Sequence, residues 1–303
     1  MTENKKMKIA IGLPAFNEEK NIGKIVAQLL DKSYSVIVCN DGSSDLTSEI
    51  AKNLGVIVID HENNLGYGAG INSIIKKAKE IDTDILVTFD ADGQHRVEDV
   101  RKVVEPIING SADLVIGSRF LDKGEEEIPG YRKIGINIIT KVTNSGLKEK
   151  ITDSQSGFRA YSKQLISKLN MSDMEKGMGI STEILIKSSS LDFKIAEVPI
   201  TVIYEGDTST HNPISHGTSV LFSTIKYTSV EHPLKFYGIP SLIFFIIGIT
   251  FTTLSIEYYM DIGRINPNIT IIAAGTIVIA IILLIASILF YSLSNIIRKD
   301  QKK

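Results

Sequence analysis

The chain reads as an α/β protein: a mostly parallel sheet with helices on both faces, followed by a two-helix transmembrane hairpin. Three patterns carry that reading. Short apolar segments alternate with helical stretches, the βαβα order that builds a parallel sheet. The strand segments are near-continuous Ile/Val runs, as expected where both faces of a strand are buried. Near the C-terminus, Phe236 to Ile256 and Ile269 to Leu293 carry no charge at all. At about 1.5 Å rise per residue, each is long enough to cross a hydrocarbon core of about 30 Å.

In chain order, Lys8 to Leu13 is the first expected strand. Pro14-Ala15-Phe16-Asn17-Glu18-Glu19 makes a turn, with Asn17 as the expected cap of a helix through Leu30. Tyr34 to Cys39 is the second strand and ends in Asn40-Asp41-Gly42-Ser43-Ser44-Asp45; Thr47 to Leu54 is helical and Val56 to Ile59 is a third strand. Gly66-Tyr67-Gly68-Ala69-Gly70 opens a helix to about Lys79. A buried strand then runs to Asp90, followed by strands at Ala112 to Ile116 and Ile195 to Tyr204. Asn212 to Lys235 reads either as an interfacial helix along a membrane surface or as a helix packed on the soluble domain. The resulting division is 1–211, a soluble domain; 212–235, the juxtamembrane helix; 236–297, the two spans; and 298–303, a basic tail.

Composition limits function. A formal net charge of −2 leaves no basic surplus for nucleic acid. The single cysteine, Cys39, excludes an internal disulfide and sits in the apolar run Val36-Ile37-Val38-Cys39, where it reads as a small buried residue. The residues before the first strand form no apolar signal-peptide core. Lys226 and Lys235 precede the first span, Arg298, Lys299, Lys302 and Lys303 follow the second, and Arg264 is the only base in the link Glu257 to Asn268. By the positive-inside rule both flanks are cytosolic and the link is outside. The expected location is the cell membrane, multi-pass, with the soluble domain on the cytosolic face. The spans would anchor the soluble domain, guide a lipid or support a homo-oligomer, and the small residues Ala273, Ala274 and Gly275 permit close helix contact.

The chemistry gathers at one edge. Asp90-Ala91-Asp92-Gly93-Gln94 ends a buried strand, and strand alternation would aim acids one residue apart at the same face. Hard oxygen donors suit Mg²⁺ or Mn²⁺ carrying phosphate oxygens. The C-terminal strand edge is also where open α/β sheets bind ligands. Strands one, two and four would bring Glu18, Asp41, Asp90 and Asp92 to that edge, a set that fits a nucleotide. The plainer reading is an acidic strand exit turned by Gly93. His95 reads as a further metal ligand or as a neutral turn residue, and Glu183 as functional or solvent-facing. The glycines of 66–70 lack dinucleotide-fingerprint spacing and read as close helix–sheet packing.

Four motifs in order, Pro14-Ala15-Phe16-Asn17-Glu18, Asn40-Asp41-Gly42-Ser43-Ser44-Asp45, Asn64-Leu65-Gly66 and Asp90-Ala91-Asp92-Gly93-Gln94, make the chain resemble the family-2 glycosyltransferases of the GT-A, Rossmann-like fold. Gly117-Ser118-Arg119-Phe120 and Asp153-Ser154-Gln155-Ser156-Gly157-Phe158-Arg159 narrow the resemblance to polyprenyl-phosphate sugar synthases, such as the dolichyl-phosphate mannose and glucose synthases. The resemblance covers about residues 8–235. It implies that Pro14, Ala15, Asn17 and Glu18 cradle the nucleoside, that Asp41 reads the base edge, and that Asp90, Asp92 and Gln94 serve the metal (Mg²⁺ or Mn²⁺) and the diphosphate. It further implies that Arg119 and Arg132 hold the acceptor phosphate, and that Asp153, Ser156, Gly157 and Arg159 lie beside the donor sugar.

The implied reaction is inverting transfer of a hexose-type sugar from a nucleotide sugar, UDP-sugar favoured over GDP-mannose, to a polyprenyl (dolichyl) phosphate. Such a phosphate is already an anion and attacks without a general base; it needs positive charge, which arginine's fork supplies. The alternatives are a family-2 transferase acting on a hydroxyl acceptor, with Asp153 as base, and a membrane-tethered nucleotide-sugar binding protein. A flippase is disfavoured, because the two spans hold no charge. One segment departs from the pattern. The loop Glu205 to Asn212 contains neither Arg nor Lys where relatives carry a basic residue, and His211 and His216 would replace part of that charge.

Overall fold

Each expected parallel strand of the first half forms, and the order they take decides which loops meet. The strands are β1 (Ile9–Ala15), β2 (Ser35–Asn40), β3 (Ile57–Asp60), β4 (Ile85–Thr88), β5 (Leu114–Ser118), β6 (Arg159–Ser162) and β7 (Ile195–Pro199). In this computed structural model they join one sheet in the order β3-β2-β1-β4-β6-β5-β7. Residues 7–121, 130–170, 174–203, 225, 229 and 232–300 are described, except the side chains of 130–132, 134 and 295–300. All neighbouring pairs are parallel except β4–β6 and β5–β6. The antiparallel β6 was not expected: the four residues Arg-Ala-Tyr-Ser lack the apolar run that marks the other strands. The chain forms two compact units, 1–224 and 225–303.

Among the described residues of the first unit the α-helices are α1 (Ile22–Asp31), α2 (Thr47–Asn53), α3 (Tyr67–Glu80), α4 (Val100–Ile108), α5 (Gly130–Ser145), α6 (Lys163–Lys168) and α7 (Ile180–Ser190). Ile11 and Leu13 of β1 share a core with Ile22, Val26 and Leu29 of α1 and Val100, Val103 and Val104 of α4. The opposite face is covered by α3, whose Ile74 lies where a Cβ on Gly12 would be, at 2.2 Å. A side chain at Gly12 would lift α3 off the sheet. Each fully buried aliphatic side chain contributes about 1.5–3 kcal/mol, so these two layers hold the strand ends still.

Three local expectations are corrected. Asn17 does not cap α1; it adopts φ 56° in the left-handed region, and α1 starts after Asn21. Strand β4 ends at Thr88, two residues short of Asp90, so Asp90 and Asp92 lie in a turn and strand alternation does not orient them. The last strand stops at Pro199, and beyond it Val202 makes an isolated bridge to His95. Tyr204, the 205–212 loop with His211, His216, and most of the expected juxtamembrane helix lie outside the described residues.

The second unit contains α8 (Ile239–Ile262) and α9 (Pro267–Asp300), both long and apolar enough to cross a membrane. Gly263, at φ 69°, ends α8 by donating its N–H to the Tyr259 carbonyl at 2.8 Å. The link is therefore 263–266, shorter than the expected Glu257 to Asn268, because the helix continues through Glu257 and Asp261. The helices pair antiparallel: Ser241 Oγ donates to the Ala280 carbonyl at 2.8 Å, and the Ser255 and Thr270 hydroxyls lie 2.9 Å apart. Gly248 is the close-approach point, since a Cβ there would lie 2.6 Å from Ile277 Cγ1. Gly275, expected to offer such a contact, has nothing within 4 Å of its Cβ position. Ile243, Ile246, Leu284 and Leu289 are exposed, as suits lipid rather than water.

Candidate active site

The adjacency β2-β1-β4 brings three C-terminal strand ends to one edge. Pro14 and Ala15 close β1 opposite Cys39 and Asn40 of β2. The Asn17 N–H donates to Ser43 Oγ at 2.9 Å, and its Oδ1 accepts from the Ser44 N–H at 2.9 Å. Asn17 thus ties the β1 turn to the β2 turn, which accounts for its strained φ. Glu18 follows, its N–H bonded to Thr47 Oγ1 at 2.8 Å and its carboxylate accepting from Asn21 at 3.0 Å.

Glu18, Asp90 and Asp92 form one acidic cluster. Burial pushes the Glu18 carboxyl above the usual range, and the charges of Asp92, Asp45 and Asp90 add to the rise. Burial, then the neighbouring Asp90, raises Asp92 in the same way. Asp92 Oδ1 accepts from the Gln94 N–H at 3.0 Å, closing the turn around Gly93, which sits at φ 80°. Asp90 Oδ1 is buried and has no hydrogen-bond partner. Its other oxygen lies 3.8 Å from His95 Nε2. That ring stacks edge-on against Phe158, centroids 5.2 Å apart, and its Nδ1 has no partner either. Tyr67, at the start of α3, hydrogen-bonds Asp90, and burial followed by the Asp90 charge raises its phenol well above the ordinary value.

These residues fit a divalent cation of one kind. Among the described residues no three His, Cys, Asp or Glu side chains form a complete ligand cage. Two mutually repelling carboxylates and an orphaned buried oxygen instead match a cation that completes its shell with phosphate oxygens and water, the usual habit of Mg²⁺.

The motif after α5 approaches the cluster through β6. Thr88 of β4 pairs with Arg159, and Thr88 Oγ1 donates to the Gly157 carbonyl at 3.1 Å. A Cβ on Gly157 would lie 2.7 and 2.8 Å from the Asp90 oxygens. Glycine is required there by the carboxylate it faces. Arg159 is 1 % exposed; it donates to the carbonyls of Ser156 (2.9 Å), Ser181 (2.6 Å) and Ser154 (2.8 Å). It pins the 154–157 loop to the start of α7. Ser156 is buried, and its Oγ accepts from the Phe158 N–H.

Asp153 is fully buried and takes a two-pronged bond from Arg119, Nε to Oδ2 at 2.7 Å and Nη2 to Oδ1 at 2.8 Å. Although burial opposes it, the Arg119 charge and hydrogen bonds hold the Asp153 carboxyl below the usual range. Arg132 lies on α5, and its side chain is outside the described residues. Next to the Arg119–Asp153 pair, Phe120 and Thr152 join Lys133, Lys141 and Lys150 around a cavity of about 610 Å³.

Asp41, just after β2, has partners of its own. Its carboxylate accepts from Leu65 and Gly66 N–H groups at 3.0 and 2.8 Å and meets His61 Nδ1 at 2.6 Å. Sequence reasoning missed His61 and Glu197. The Glu197 carboxylate receives the N–H groups of Thr152 and Asp153 at 2.7 and 2.9 Å and holds that loop. Neither residue stands in a run that marks it. Glu183 is buried rather than solvent-facing, because it accepts the Glu175 N–H at 2.8 Å and pairs with Lys187 at 2.8 Å. Gly66 and Gly68 pack on the 175–177 backbone rather than on the sheet, and only Gly70 approaches β1 and β2. Cys39 is buried as expected, its thiol pushed up to about 12 chiefly by burial.

Residues 10–169 match the family described as Glycosyl transferase family 2. The chain is 37 % identical over 228 residues, covering 69 % of this chain and 89 % of the relative, to the UDP-N-acetylglucosamine–dolichyl-phosphate N-acetylglucosaminyltransferase of Methanococcus voltae. It is 33 % identical over 207 residues to the dolichol-phosphate mannosyltransferase of Pyrococcus furiosus, covering 64 % of this chain and 56 % of that one. The fold is shared with glucosyl-3-phosphoglycerate synthase from Mycobacterium tuberculosis, solved with Mn²⁺, uridine-diphosphate-glucose and phosphoglyceric acid: TM-score 0.57, 22 % identity, 74 % of this chain and 80 % of that one covered. The motifs, the strand-edge acids and these likenesses agree, and the chain belongs to glycosyl transferase family 2 and is a glycosyltransferase.

Proposed function

We propose that this glycosyltransferase moves a hexose-type sugar from a nucleotide sugar to a polyprenyl phosphate, with inversion at the anomeric carbon. The observation that carries the reading is the buried, unpartnered Asp90 oxygen within the Glu18–Asp90–Asp92 cluster. Such a cluster is poorly stable alone and favourable once a divalent cation and the donor diphosphate share it. Asp90 and Asp92 would hold Mg²⁺ or Mn²⁺, with Gln94 at the same turn. When bound, the cation acts as a Lewis acid on the leaving diphosphate.

The chain's own residues would then divide the work. Asn17 and the β1 and β2 turns shape the nucleoside end, and Gly157 lets the donor-side loop approach Asp90. Arg159 and Glu197 hold that loop from behind. Asp153, buried with both oxygens on Arg119, is badly placed to take a proton from an acceptor hydroxyl. That favours an acceptor which is already anionic, and the dolichyl-phosphate activities named for the relatives point the same way. Arg119, oriented by Asp153, and Arg132 would face the acceptor phosphate. We place the catalytic unit on the cytosolic face, from the Lys226 and Lys235 flank and the basic tail.

The test is turnover by the full chain in detergent, with dolichyl phosphate and Mn²⁺ or Mg²⁺, across UDP-glucose, UDP-N-acetylglucosamine and GDP-mannose. An acid-labile lipid-phosphate sugar from one donor, absent with Asp92→Ala, is the expected result. Donor hydrolysis with no lipid product would overturn the acceptor assignment.

A further inference from the structure

We infer that Tyr67 is a positioning residue for the cation site: its hydroxyl fixes the rotation of the Asp90 carboxylate and so sets how tightly the divalent ion is held. The inference rests on the reading of Asp90 as a cation ligand, proposed above, and adds a side chain that touches neither cation nor substrate.

Tyr67 reaches Asp90 from another element. It is the first residue of α3, inside the glycine run, and it hydrogen-bonds the Asp90 side chain. An ionised carboxylate only accepts, so the phenol is the donor. His95 Nε2, at 3.8 Å from Asp90 Oδ2, is beyond hydrogen-bond reach and does not replace it. The Cβ position of Gly157 lies 2.7 and 2.8 Å from the two Asp90 oxygens and 2.9 Å from the Tyr67 hydroxyl, so the three residues meet at one point. Tyr67 is half-buried as a residue, with its hydroxyl at the enclosed end. The hydroxyl therefore serves Asp90 rather than a ligand in the open site.

The mounting of that ring is rigid. Gly66 takes φ 97°, and a Cβ there would lie 2.7 Å from the Lys176 carbonyl oxygen. A Cβ on Gly68 would collide with the Glu175 carbonyl and lie 2.6 Å from the Gly177 oxygen. Between these two contacts the Ala69 N–H donates to the Lys176 carbonyl at 3.1 Å. The platform is held in turn by Glu183, which is 1 % exposed and accepts the Glu175 N–H at 2.8 Å. Two glycines thus seat Tyr67 directly on the 175–177 backbone, and the hydroxyl keeps its place. A fixed donor is what a cation-binding carboxylate requires. Hydrogen bonds from such outer partners orient the ligand oxygens, and removing one typically weakens metal binding by about 10–100-fold.

The experiment is a Mn²⁺ titration of the full chain in detergent, with and without UDP, the free ion being counted by its electron paramagnetic resonance signal. Tyr67→Phe keeps the ring and removes the donor, and should weaken Mn²⁺ binding by about 10–100-fold. UDP binding without metal should be unchanged. In turnover the half-saturating Mn²⁺ concentration should rise by the same factor, with kcat at saturating Mn²⁺ largely kept. Para-aminophenylalanine inserted at position 67 carries an N–H donor where the hydroxyl stood and should restore Mn²⁺ binding, a rescue that packing alone would not give. Unchanged Mn²⁺ binding in Tyr67→Phe would overturn the inference and leave the cation reading standing. So would a para-aminophenylalanine protein that binds Mn²⁺ no better than Tyr67→Phe. If Tyr67→Phe does not fold, the para-aminophenylalanine protein decides by itself, and a loss of about tenfold or more there overturns the inference. Absence of Mn²⁺ binding by the wild type, with and without UDP, would overturn both.

Discussion

Asp92 and Asp153 are both buried acids, and their surroundings push them in opposite directions. Asp92 is raised by burial and by Asp90. In the metal-free protein it binds protons more tightly folded than unfolded, so stability falls as pH rises from the ordinary carboxylate range through its raised value. Asp92→Asn should flatten that slope and leave the fold no less stable, while turnover drops by about 10²–10³-fold. Melting temperature against pH, measured beside activity, checks this. Asp153 is lowered by Arg119. Its contribution to stability is complete above the unfolded value and is lost as pH falls through the lowered one. Asp153→Asn breaks a buried pair and should cost about 3–5 kcal/mol in urea unfolding at neutral pH. Both acids stand out in the sequence as motif members, but their opposite electrostatic characters do not, because those depend on a guanidinium 34 residues away and on depth.

At the element scale, β6 does the placing. Its antiparallel pairing with β4 sets Gly157 against the Asp90 carboxylate. Gly157→Ala should displace Asp90 and lower kcat by on the order of 10²-fold, the usual result of a misplacement near 1 Å. The new methyl would also meet the Tyr67 hydroxyl at 2.9 Å. Retained activity in a folded Gly157→Ala protein would contradict the placement. In the hairpin, Gly248→Leu should separate α8 from α9 by driving a side chain into Ile277, read as lost helix–helix crosslinking between cysteines placed at 255 and 270. Strands β1 to β5 were legible from their apolar runs. Strand β6 was not, because a four-residue polar-to-aromatic strand becomes a strand only between partners already in place.

For the whole molecule, the second of the two units predicts one behaviour. The full chain should stay with membranes after an alkaline carbonate wash, as expected of two spans of this length and apolarity. Release into the supernatant would argue that the hairpin lies on the surface only. Charge counts at the two ends of the hairpin were readable directly from the sequence. The length of its link was not, because the apolar runs mark where charge stops and not where helical hydrogen bonding stops: α8 continues through Glu257 and Asp261.

By itself the sequence determined the α/β class, the order of the parallel strands along the chain, the two long apolar segments and the family motifs. All of these are encoded in local periodicity, charge and short residue patterns. Only the tertiary structure decided which acids share a site. Asp90, Asp92 and Glu18 cluster, while Asp41 is taken by His61 and the 65–66 backbone, and Asp153 by Arg119. Arg159, which looks like a substrate arginine in one dimension, is a buried clamp on three carbonyls in three. The reason is general: a polar side chain's task is set by the partners that reach it once it is buried, and strand order and loop contact bring those partners from distant parts of the chain.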